Sequence, residues 1–109
     1  MENIIAPAVV GVLLCVMGVL NLCGNLSTLH KYHYKRVSAE DKRPFCNLVG
    51  GGTVLIGVGM LLFSLLAFFA ERTENLILTT VGAGFLIAAA VVGIVLSFYA
   101  MIKYNHGIF

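Results

Sequence analysis

The stretch FCNLVGGGTVLIGVGMLLFSLLAFFA, from Phe45 to Ala70, contains no charged residue. A helix rises about 1.5 Å per residue and needs roughly 20 residues to cross about 30 Å of hydrocarbon, so this stretch is long enough to span a bilayer. It lacks the alternation of polar and apolar residues that a membrane β-strand requires, and a helix satisfies every backbone group within the bilayer. The stretch therefore predicts a transmembrane helix.

Two further uncharged runs, from Asn3 to Leu29 and from Asn75 to Ile102, lie on either side of it. The 109 residues are 60% hydrophobic and 11% charged, and the mean hydropathy is +0.98. A soluble domain of this size cannot hide so much apolar surface from water. We expect an all-α, integral membrane three-helix bundle, a single membrane domain over residues 1–109, with spans at 4–23, 48–69 and 76–99.

The basic residues predict the orientation. Five of them lie in the loop 24–47, whereas the loop 70–75 has only Arg72, beside Glu71 and Glu74. Because loops rich in Lys and Arg stay in the cytoplasm, we expect the loop 24–47 inside and the short loop 70–75 outside. The N-terminus is then outside and the C-terminus is cytoplasmic, where Lys103 adds another inside charge.

The loop 24–47 has the composition of a membrane-interface anchor. Tyrosine rings suit the headgroup region, and long basic side chains reach toward phosphates, at about 1 kcal/mol per well-placed charge on anionic inner-leaflet lipid. The expected anchor residues are Lys31, Tyr32, Tyr34, Lys35, Arg36, Lys42 and Arg43. Ser38 is expected to cap a short interfacial helix, and Pro44 either kinks that helix or lies in the first turn of the second span.

The loop also contains potential metal ligands. His30 and His33 are three residues apart, and Cys46 and His106 fall on the same side of the membrane. A zinc site normally has two closely paired groups of ligands, and the second pair is missing here. We expect no metal, no cofactor and no disulfide framework, and a short loop held at the membrane is a poor nucleic-acid binder.

Small residues recur at intervals of seven in every span. Seven residues at about 100° each fall about 20° short of two turns, so each set forms a seam along its helix, where backbones can approach. Each seam packs either inside the bundle, which we favour, or against another chain. The triplet Gly50 to Gly52 is either a flexible joint or a close-packing site against the first helix. In the third span the seam continues beyond Ala89 in steps of three or four residues, through Gly93, Ser97 and Ala100. The seam residues are Gly11, Gly18, Gly50, Gly57, Ser64, Gly82, Ala89, Gly93 and Ser97.

A family resemblance follows from the loop and the start of the second span. The matching residues are Asn25, Tyr34, Ser38, Glu40, Asp41, Lys42, Phe45, Cys46 and Gly50. This arrangement resembles the small bacterial membrane proteins of domain of unknown function 3784, although Pro44 and the loop histidines depart from the pattern. The loop is also distantly similar to the SdpI-like immunity proteins. The resemblance implies three spans and a bacterial cell membrane, and no reaction.

Function is constrained by what the spans lack. They contain no Asp, Glu, Lys, Arg or His, which proton-coupled transporters place at membrane depth. No span hydroxyl or thiol has a neighbouring histidine or carboxylate to activate it, so we expect no enzyme. We expect an accessory or immunity-type protein that packs against a membrane partner. The alternative is a homo-oligomeric channel or transporter with a path lined by Thr53, Ser64, Thr79 and Ser97.

Overall fold

The computed structural model describes residues 2–26, 29 and 34–107, with the backbone alone at residues 2 and 3. Across these residues the chain is all-helical, with α1 over Glu2–Leu22, α2 over Lys42–Thr73 and α3 over Ile77–Tyr104. Each helix is long and apolar enough to span a membrane, so the chain has the architecture of a multi-pass membrane protein. The expected all-α fold with three spans is confirmed.

The helices are longer than the predicted spans, most of all α2. It begins at Lys42 rather than at residue 48 and continues to Thr73, beyond the predicted limit of 69. Its 32 residues would extend about 48 Å, whereas the hydrocarbon layer is about 30 Å thick. The molecule is 52 Å along its longest axis. Charged residues at both ends of α2 are therefore helical, although they lie outside the uncharged run from which the span was predicted.

The segment before α2 forms a turn and not the expected interfacial helix. The backbone N–H of Asp41 donates to the Ser38 hydroxyl oxygen over 3.2 Å, and α2 then begins at Lys42. Pro44 lies in the first turn, where a helix needs no backbone N–H donor. Of the two placements considered for Pro44, the structure therefore has it in the first turn of the second span.

A left-handed residue follows the regular end of both α1 and α2. After α1, Gly24 has φ 96°, and its N–H donates to the Asn21 carbonyl while that of Asn25 donates to the Leu20 carbonyl. This pair of bonds is a Schellman motif. After α2, Glu74 has φ 55°, and its N–H donates to the Ala70 carbonyl. Each cap ends its helix sharply. The cap after α2 permits the short connection to α3.

The three helices form two interfaces, both of which involve α2. It packs along α1 on one side and along α3 on the other, whereas α1 and α3 scarcely meet. Helix α2 runs antiparallel to α1 and also antiparallel to α3. The bundle is therefore a central helix with a helix packed on each side.

Two glycine pairs bring α1 and α2 together. A Cβ built on Gly18 would lie 2.8 Å from the Gly50 carbonyl oxygen, and one built on Gly11 would lie 3.0 Å from that of Gly57. Backbone therefore faces backbone at these two positions, one heptad apart on each helix. Further along α2, Ser64 is buried and its hydroxyl donates to the Met60 carbonyl of its own helix.

The second interface also depends on glycine. A Cβ on Gly52 would lie 2.6 Å from the Gly93 carbonyl oxygen, and one on Gly59 would lie 2.9 Å from the Cβ of Ala89. Ser97 adjoins this contact, since its hydroxyl oxygen would be 3.2 Å from the same Gly52 Cβ. Gly82, at the other end of α3, packs on the side chain of Leu66.

The glycine triplet serves both interfaces. Gly50 faces α1 and Gly52 faces α3, while a Cβ on Gly51 would meet nothing within 4 Å. Two residues along a helix differ by about 200°, so Gly50 and Gly52 point to nearly opposite sides. The helix is continuous through all three residues. Of the two roles considered for the triplet, the geometry matches close packing, with the addition that α3 is contacted as well as α1.

Candidate functional site

Three chain segments meet at one end of the molecule, here called the loop-side end: the end of α1, the loop with the start of α2, and the end of α3. Its core is a cluster of buried residues: Phe45, Cys46, Val49, Ala100 and Met101. Parts of the loop pack on this cluster, including Tyr34 and Val37. The described part of the loop is therefore held against the helices.

Asn105 links the loop to the end of α3. It is fully buried, and its side-chain oxygen accepts a hydrogen bond from the backbone N–H of Arg36 over 2.8 Å. Its amide nitrogen donates to the Gly107 carbonyl oxygen over 2.9 Å. The Asn105 side chain thus bonds to two backbone groups, one 69 residues away in sequence and the other 2 residues away. No local sequence pattern indicates this link, because it depends on which residues the fold brings together.

Asn21 is a second buried asparagine that bonds to the backbone, here at the end of α1. It is 1% exposed, and its amide nitrogen donates to the Asn25 carbonyl oxygen over 2.9 Å. This bond crosses the turn that ends α1. An asparagine at the end of an apolar run is the sequence signal that could have identified it, since a buried amide requires partners.

The expected anchor residues divide into three groups. Lys35, Arg36, Lys42 and Arg43 are exposed at the loop-side end. Tyr34 is half-buried and packs on the core cluster, so its ring is not free at the surface. Lys31 and Tyr32 lie outside the described residues, as do His30 and His33.

A further aromatic and basic group on α3 was missed. The Lys103 ammonium lies 5.5 Å from the ring centroid of Tyr99 and 5.3 Å from that of Tyr104. At the opposite end of the molecule, the Arg72 guanidinium lies 5.6 Å from the centroid of Phe68. Such cation–π pairs suit the two water interfaces of a membrane protein.

Two of the four hydroxyls proposed to line a path bond to their own helix. Thr53 donates to the Val49 carbonyl over 2.9 Å, and Ser64 donates to that of Met60 over 3.0 Å. Ser97 adjoins the contact between Gly52 and Gly93. Thr79 is half-buried near the start of α3. These four side chains lie at separate positions along α2 and α3.

A cavity of about 500 Å³, here called the loop-side cavity, opens between the end of α1 and the start of α2. A neighbouring cavity of about 430 Å³ shares Gly24 and Lys42 with it and extends along Tyr34 and Val37. The loop-side cavity is lined by Leu22, Cys23, Gly24, Ala39, Lys42, Arg43, Cys46 and Asn47.

The three cysteines differ in burial. Cys15 is half-buried, Cys23 is exposed and Cys46 is buried, and all three are free thiols. Among residues 2–26, 29 and 34–107, no group of three His, Cys, Asp or Glu side chains is placed to hold a metal. A site that uses His30 and His33 falls outside the described residues.

Comparisons with known proteins add no relative: no family model, curated protein or solved structure matches the chain.

Proposed function

We propose that this chain is an accessory or immunity-type membrane protein, which acts by packing against a transmembrane helix of another protein. The supporting observation is a line of small residues on the outward side of α3. Thr80, Gly84 and Ala88 are exposed, and a Cβ on Gly84 would meet nothing within 4 Å. They are four residues apart, so they share one face of the helix. Small residues in this pattern let a second helix approach closely.

The seams predicted from the sequence are not available to a partner. Gly11 and Gly18 are occupied by α2, and Gly82 and Gly93 are likewise covered by α2 from the other side. A bulky replacement at Gly57 or Gly93 would therefore disrupt the bundle itself and could not report on a partner. Gly84 is the informative position, because it is the glycine of α3 that no neighbouring helix covers.

The alternative, a homo-oligomeric channel or transporter, has less support. The hydroxyls of Thr53 and Ser64 bond to backbone carbonyls within α2, and Ser64 is buried. Ser and Thr bonded in this way add little polarity to a path. The proposed setting is a bacterial cytoplasmic membrane, with the N-terminus outside and the loop 24–47 inside, as the positive-inside rule predicts.

The test is co-purification from native membranes after crosslinking, with Gly84→Ile compared with Gly84→Ala. Isoleucine fills the groove beside Gly84, so the crosslinked partner should be lost, whereas alanine is still small and should retain it. Both variants should keep the helical content of the parent chain and should be no less stable than it, because the site contacts no other helix. Equal capture by both variants, or a crosslinked product that contains only copies of this chain, would count against the proposal.

A further inference from the structure

The loop-side cavity has the size and position of a binding site for a small headgroup. Its volume of about 500 Å³ lies within the range of roughly 300–1,000 Å³ that is typical of small-molecule pockets. It opens where α1 ends and α2 begins, at the level where the charged residues of the chain start. In a bilayer this level is the interface, where lipid phosphates are found.

The polar side chains that line the cavity are hydrogen-bond donors. Lys42 contributes an ammonium, Arg43 a guanidinium and Asn47 an amide. No carboxylate is among the described residues that line it. Two positive charges therefore line the cavity, and the neighbouring acidic residues Glu40 and Asp41 are not among its lining residues.

The basic residues Lys42 and Arg43 begin α2, although the start of a helix usually favours negative charge. Its first turn has no acidic residue, and Asp41 makes no side-chain capping bond. Cations in this position are opposed by the helix dipole, and anions are favoured there. Natural sequences tend to break such local rules at functional sites. An anion in the cavity would neutralise both side chains.

In the described part of the chain, the other wall of the cavity, at the end of α1, has no charged side chain. At the end of α1 the carbonyls of Leu20 and Asn21 already accept the N–H groups of Asn25 and Gly24. Gly24 lines the cavity without a side chain, and Cys23 beside it is a free cysteine.

We propose that the loop-side cavity binds a phosphate group, carried either by the headgroup of an anionic phospholipid or by a free phosphate. Arg43 presents a planar fork that matches two phosphate oxygens, Lys42 supplies a second charge, and the Asn47 amide donates a neutral hydrogen bond. This site is distinct from the outward face of α3 and does not depend on the proposed partner. The loop as a whole was expected to attract anionic lipid; the cavity assigns that attraction to two of its basic residues.

The experiment is a binding titration on the full chain in a neutral detergent, with phosphatidylglycerol as the probe and phosphatidylcholine as the reference lipid. Retained lipid is measured by native mass spectrometry. The test variant is the double substitution Lys42→Gln and Arg43→Gln. The matched control is Lys35→Gln and Arg36→Gln, which removes the same two charges from exposed positions that do not line the cavity. Circular dichroism and a melting curve establish that both variants are folded.

The expected result is a loss of phosphatidylglycerol affinity of about tenfold or more in the test variant, and of less than about threefold in the control. Equal losses would show that the net charge of the loop is responsible, and no loss in the test variant would exclude the cavity; either result overturns the proposal. Inorganic phosphate, added as a competitor, distinguishes the two sources: displacement of the lipid indicates a site for phosphate itself, and retention indicates a site that requires the lipid.

Discussion

Gly18 of α1 and Gly50 of α2 face each other so closely that a Cβ on Gly50 would lie 2.7 Å from the Gly18 carbonyl oxygen. Two residues further along α2, Gly52 has the same relationship with Gly93 of α3, at 2.6 Å. These paired contacts place α2 between its two neighbours. Since lipid is as apolar as leucine, close backbone approach of this kind is a main source of helix association in a bilayer.

Replacement of Asn105 by alanine should loosen the loop from the end of α3. The substitution removes the acceptor for the Arg36 N–H and the donor to the Gly107 carbonyl. We expect a loss of about 1–3 kcal/mol in the free energy of unfolding, the usual result when a buried hydrogen-bonded group loses its partner. Hydrogen exchange at the Arg36 amide should accelerate. Asn47→Ala, at an exposed position, is the control, and unchanged exchange at Arg36 would contradict the proposed link.

The orientation can be tested with single cysteines. In a variant in which Cys15, Cys23 and Cys46 are replaced, we expect Glu74→Cys to react with a membrane-impermeant maleimide on intact cells. Glu40→Cys should react only after the membrane is permeabilised, because the basic loop is predicted to be cytoplasmic. Both positions are exposed in the structure, so accessibility depends on the side of the membrane. The reverse pattern would show that the positive-inside prediction is wrong for this chain.

Glu74→Gly should stabilise the protein. Glu74 has φ 55° and ends α2 in the left-handed region, which costs a residue with a side chain about 1–2 kcal/mol and costs glycine almost nothing. We expect a gain of about 1 kcal/mol in unfolding titrations. Glu74→Ala removes the same carboxylate and keeps the Cβ, so it should show no such gain. A similar gain in both variants would assign the effect to charge.

The sequence was sufficient to predict three spans and the spacing of their small residues. Gly11 and Gly18 on α1, and Gly50 and Gly57 on α2, are each seven apart, and the structure brings them into two facing pairs. The reason is that both regularities depend on local properties: the length of an apolar run and the helical repeat. Neither requires knowledge of which helices are neighbours.

The rest depends on tertiary contacts. Gly52 and Gly59 were not included among the seam residues, although the pattern Gly-x-Gly at 50–52 recurs at 57–59 and marks a helix with glycine on both sides. The beginning of α2 at Lys42 was missed because a charged residue can continue a helix beyond the hydrocarbon. Asn105 could not be paired with Arg36, since no sequence pattern connects residues 69 positions apart.

The most direct test of the central position of α2 is the unfolding free energy, in one detergent, of three variants: Gly50→Ala, Gly51→Ala and Gly52→Ala. The first and third place a methyl group against the backbone of α1 or α3 and should lose about 1–3 kcal/mol, whereas Gly51→Ala meets nothing within 4 Å and should gain about 0.5–1 kcal/mol from helix propensity. A stability that rises or falls alike in all three would contradict the arrangement, because it would mean that the two flanking glycines contact no neighbouring helix.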